Sequence, residues 1–94
     1  MPSVLIRHKV ADYAKWKHAF DEHGAKRQAS GSKGGRLFRN ADNPDEVIIL
    51  LEWDDLRNAR QFSQSPDLKQ AMQRAGVADQ PDMYFLDEVD KPSV

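Results

Sequence analysis

Cysteine is absent from this 94-residue chain, so no disulfide can brace the fold and no thiol can act as nucleophile or metal ligand. That usage fits a reducing compartment, and a cytoplasmic location is expected. Long apolar runs are also missing. The longest, Val47 to Leu51, is far too short to cross a bilayer, so no membrane partner is expected. The first ten residues lack the basic start, long apolar core and small-residue cleavage site of a signal peptide. Nor is there an excess of one charge. Fourteen basic residues face 15 acidic ones and no segment gathers a basic stripe, which sets nucleic acid aside as a partner. No linker is long enough to divide the chain and no tandem repeat is evident. Residues 1–94 are therefore expected to form one domain with a polar tail from about residue 90.

What is present is a sequence of short periodic segments. Ser3 to Val10 reads as a strand, with Val4, Ile6, His8 and Val10 on one face and Leu5, Arg7 and Lys9 on the other. Asp12 is a good N-cap for a helix through about Gln28, whose apolar stripe runs Tyr13, Trp16, Phe20, then His23 and Gly24. The glycine- and serine-rich stretch Ser30 to Gly35 reads as a loop. Arg36 to Asn40 and Glu46 to Trp53 read as a hairpin around the turn at Asp42, Asn43 and Pro44. Asp54 or Asp55 caps a helix in which Leu56, Ala59 and Phe62 share a face. Ser65-Pro66 starts another, with Leu68, Met72 and Ala75 apolar, Gly76 as terminator and Val77 packing back. Pro81 introduces a last strand, Met83 to Val89.

The order β-α-β-β-α-β is the split pattern of an α+β, ferredoxin-like fold with a four-stranded antiparallel sheet. Helices then cover one face only. Yet Val47 to Leu51, Met83 to Leu86 and Val4 to Ile6 are apolar on both faces, where a half-exposed strand should alternate. Leaving several such side chains in water forfeits about 1.5–3 kcal/mol each. A homodimer covering the bare face is the expected remedy, with a small-molecule pocket on that open face.

Candidate site residues follow from these faces. His8, among apolar neighbours, is a candidate general base, since its pKa lies near neutrality; hydrogen-bonded structure is the alternative. Trp53 ends a strand and is a candidate wall for positioning a planar substrate, or else core packing. His23, Arg36 and Phe85 are candidates for ligand contact, while His18 lies off the helical stripe. Arg36 and Arg39 fall on opposite faces of their strand. No metal site is expected, because His18 and His23 are five apart and not on one helical face. The segment Gly31 to Arg36 lacks the phosphate-loop order of glycines, lysine and serine or threonine.

The layout resembles the dimeric α+β barrel superfamily, which includes antibiotic biosynthesis monooxygenase-like and small cyclase-like proteins. The resemblance covers nearly the whole chain. It rests on Val10-Ala-Asp-Tyr-Ala-Lys-Trp16, on Glu52-Trp53-Asp54-Asp55 leading into a helix with Ala59 and Phe62, and on Ser65-Pro66-Asp67-Leu68. It implies a homodimer that acts on a small, often aromatic, molecule. Several members use dioxygen without flavin or metal, so no cofactor is expected. Trp53 matches the family tryptophan ending the hairpin's second strand. Heme-degrading members ligate iron through a histidine on the following helix, and Leu56 to Gln73 contains none. Oxygenase members carry an asparagine near the pocket, for which Asn40 and Asn58 are the nearest options. A non-catalytic ligand-binding or interaction module of the same fold is the competing expectation.

Overall fold

The computed structural model describes residues 2–76 and 81–94. Among them the elements run β1 (Ser3–Lys9), α1 (Tyr13–Glu22), α2 (Gly24–Ser30), β2 (Ser32–Arg39), β3 (Glu46–Trp53), α3 (Leu56–Ser63), α4 (Pro66–Ala75) and β4 (Asp82–Leu86). The strands form one antiparallel sheet in the order β2-β3-β1-β4. The fold is α+β and ferredoxin-like.

Local chemistry sets most boundaries. The Asp12 side chain accepts the Lys15 amide at 3.2 Å and starts α1. Asp55 accepts the Arg57 amide at the head of α3. Ser65 accepts the Leu68 amide, with Pro66 just inside α4, where its missing N–H costs nothing. Gly76 closes α4 in the left-handed conformation, φ 73°; Val77 lies outside the described residues.

Three boundaries differ from the expectation. The single helix to Gln28 is divided at His23, a turn residue (φ −81°, ψ −4°) that closes α1 before α2 starts at Gly24. Glycine propagates a helix poorly, and the break fixes where His23 and Arg27 stand. The stretch read as a loop is mostly strand: β2 begins at Ser32, with a register shift between Ser32 and Gly34. Glycines there serve a bulge and a close approach rather than a turn. A Cβ at Gly35 would overlap the Leu50 carbonyl oxygen. At the other end, β4 stops at Leu86, short of Val89.

That close approach gives a stability prediction. Gly35→Val should lower the unfolding free energy by at least ~2 kcal/mol, because the clash is with backbone and cannot be relieved by a rotamer change. Gly34→Ala meets no neighbour and should cost only the ~1 kcal/mol of its positive φ. Urea midpoints for the two variants measure the contrast, and equal midpoints would remove it.

The helices lie on one face of the sheet. There Val4, Val47, Ile49, Leu51 and Trp53 are buried with Val10, Trp16 and Ala59. The opposite face carries Leu5, Ile48 and Leu50 along its centre, and Phe38, Tyr84 and Leu86 are 46%, 54% and 38% exposed on its flanks. Arg7 crosses this face, donating to Glu46 and to Asp82 at 3.0 Å each. The hydrogen bond from Arg7 holds the Glu46 carboxyl below its ordinary range, against the opposing effect of burial. Glu46 thus stabilises the fold above the usual carboxylate range, and that contribution is lost as pH falls through its lowered value.

Candidate functional site

Between the sheet and the helices lies a cavity of about 70 Å³. It sits on the helix-covered face, not on the open face where the pocket was expected. The reason is steric. The helices bridge over the flat sheet at side-chain distance, and Ala19, Ala59 and Ala71 are too short to fill the gap. Val4, Ile6, Ile49 and Leu51 form the floor; Phe20, Phe62, Leu68 and Met72 form the roof.

His8, His23 and Trp53 all line this cavity, as does Arg27. They are not at one place. His8 pairs with Val47 across β1 and β3, while Trp53 is six residues further along β3. At ~3.4 Å per residue the two backbones stand about 20 Å apart. The two therefore line one cavity from its opposite ends. His8 is 3% exposed and meets Trp16 edge-on, with ring centres 5.5 Å apart. His23 is the histidine near Trp53. Both rings lie 5.5 Å from the ring of Phe62.

Two nitrogens on this wall are orphaned. Trp53 Nε1 and His23 Nε2 are buried and have no hydrogen-bond partner among the described residues. Such a donor or acceptor forfeits about 1–3 kcal/mol until something pairs with it. Burial, with the charges of Arg27 and Lys26 adding to it and Asp67 opposing, lowers the His23 pKa below its ordinary value. The imidazole is therefore neutral at neutral pH, with a lone pair to offer.

The remaining candidates fall elsewhere. Arg36 is in register with Leu50 and so belongs to the opposite face; it is exposed and lines an outer groove, not the cavity. Phe85 shares the inner face with Val4, but its ring packs at the sheet edge under the Arg60 guanidinium, 4.5 Å away, and does not line the cavity. Arg39 stacks on Tyr13 at 4.1 Å. His18 is exposed and within 2.8 Å of Glu22. Neither asparagine reaches the cavity: Asn58 donates to Asp54, and the Asn40 side chain accepts from the Asp42 amide. Among the described residues no three metal-binding side chains gather. Arg27 was missed. Continuing the stripe Trp16, Phe20, His23 by one more helical step reaches it, which was the available signal.

Residues 6–74 match the antibiotic biosynthesis monooxygenase family. The chain belongs to that family. All the cavity-lining residues except Val4, Pro81 and Met83 fall within the match. Solved structures agree on the fold of this monooxygenase-family chain. SnoaB, a cofactor-independent oxygenase from Streptomyces nogalater, superposes with a TM-score of 0.80 at 14% identity, covering 99% of this chain and 97% of its own. A Bordetella bronchiseptica protein bearing the family's name gives 0.80 at 17% identity, with 94% and 96% coverage. Rv0793 from Mycobacterium tuberculosis gives 0.68 at 15%, with 99% and 100% coverage. At such identities the likeness establishes the fold alone. No curated protein matches the sequence.

Proposed function

We propose that this chain takes one small aromatic molecule into the cavity between sheet and helices and oxidises it with dioxygen, the substrate itself supplying the electrons. The observation that carries this reading is the pair of orphaned nitrogens, Trp53 Nε1 and His23 Nε2, on the wall of a largely apolar cavity. A carrier of apolar ligands needs neither; a site that handles a phenolic oxygen uses both. His23 accepts the phenol proton, and the Trp53 N–H donates to a substrate oxygen as negative charge moves onto it. The balance closes without another reagent. One oxygen atom enters the ring as a new carbonyl, the other leaves as water with the ring and hydroxyl hydrogens, and the phenol becomes a quinone.

Size limits the substrate. An apolar cavity of ~150 Å³ holds one benzene, and this one is about half that. Leu68 and Met72 of α4 must therefore shift on binding, and methionine does so readily. Oxygen-electrode traces with one- and two-ring phenols should show uptake matched by quinone absorbance. Ala59→Leu, which fills the cavity from α3, should abolish both uptake and binding without lowering the thermal midpoint. Uptake that survives Ala59→Leu would move the reaction out of the cavity. Binding without uptake across the panel would make the protein a carrier.

A further inference from the structure

A second groove runs between α2 and the beginning of β2, along Gln28, Lys33, Gly34 and Arg36. Phe20, Arg27, Ile49 and Leu51 line both this groove and the cavity, so they form the partition between the two. Arg27 is the charged member of that partition, and among the described residues no aspartate or glutamate lines either space. Its Nη1 donates to the Phe20 carbonyl at 2.7 Å, and its guanidinium carbon stands 3.7 Å from the centre of the Phe20 ring. The group is thus held in one position. Among the described residues no carboxylate forms an ion pair with it. A cation kept half out of water without a counter-ion costs free energy that a bound anion recovers.

We infer that the occupant of the cavity is an aromatic carboxylate, drawn in along the basic groove and anchored by Arg27. This deepens the reading of the cavity as a ligand site and rests on it. The planar guanidinium fork matches the two oxygens of a carboxylate, and Nη1 alone is engaged with Phe20. A carboxylic acid is ionised at neutral pH, whereas a simple phenol, with a pKa near ~10, is not. Burial lowers the Arg27 pKa, against the opposing charge of Asp21, as expected for a cation short of compensation. Lys33 and Arg36 add to the local positive potential on a chain whose net charge is −1. That potential speeds encounter with anions and fades with salt.

Benzoate and benzamide share a shape and differ in charge, which makes them the probes for titration calorimetry. Wild type should bind benzoate at least about tenfold more tightly than benzamide. Arg27→Gln should erase that preference by weakening benzoate while leaving benzamide unchanged, and Arg27→Lys should retain part of it. If Arg27→Gln also loses benzamide, Arg27→Lys decides: a retained benzoate preference supports the anchor, a lost one overturns it. Equal wild-type affinity for the two probes, with Ala59→Leu blocking both, would overturn the anchor and leave the cavity reading intact. Failure of both probes to bind, or binding indifferent to Ala59→Leu, would overturn the cavity reading as well.

Discussion

At micromolar concentrations the wild type should elute as a dimer and protein carrying Leu50→Lys as a monomer. Leu50 sits at the centre of the helix-free face, in register with Leu5 on one side and Arg36 on the other. Around it Phe38, Tyr84 and Leu86 remain substantially exposed in one subunit. Burying each such side chain is worth about 1.5–3 kcal/mol, and a two-fold interface counts every one of them twice. Among the charged groups on this face, Arg7 does not oppose burial, because it is already paired with both Glu46 and Asp82. A lysine at position 50 has no such compensation. Its lateral neighbour is Arg36, so the substitution buries two uncompensated cations per dimer, at ~3–5 kcal/mol each. The dissociation constant should rise by at least ~10³-fold. Light scattering coupled to size exclusion reads the result, and a wild type that is itself monomeric when dilute would remove the dimer. Because the cavity lies on the other face, the monomeric variant should still bind ligand.

His23→Ala should reduce turnover by about 10²-fold or more, the usual contribution of a positioned proton acceptor. The pH dependence separates this from a packing defect. The His23 pKa is lowered, first by burial and then by Arg27 and Lys26. The neutral, proton-accepting form therefore persists below the ordinary histidine value of ~6.5, and the acid limb of kcat/KM should fall below that pH. Stability follows the same sign. The unfolded chain takes up the proton more readily than the folded one, so wild-type stability should decline as pH falls below ~6.5, and His23→Ala should abolish that component. His8→Ala is the informative companion, since His8 stands about 20 Å of strand away from Trp53. If His8→Ala stopped turnover and His23→Ala left it unchanged, proton transfer would belong to the far end of the cavity. In either case Trp53→Phe keeps most of the aromatic wall and removes only the orphaned N–H, which should weaken turnover more than it weakens the fold.

Much of this protein is decided by short-range rules, and those parts were legible in one dimension. The caps at Asp12, Asp55 and Ser65-Pro66 and the left-handed terminator at Gly76 depend on residues within a turn of each other. The alternation of Val4, Ile6, His8 and Val10 marks a buried strand face wherever that strand goes. Element order and fold class follow from such signals. What needed the third dimension was every feature set by pairing between distant segments. The Ser32–Gly35 stretch is strand only because Leu51 to Trp53 lie alongside it, and glycine is required at position 35 by the Leu50 carbonyl, fifteen residues away in sequence. Whether helices or open space lie over Trp53 cannot be read from a strand that is apolar on both faces. Arg36 left the candidate site and Arg27 joined it for the same reason: register and helix placement, not residue type, determine which cation borders the cavity. Periodicity tells a side chain which face it shares, but only packing between elements tells that face what it meets.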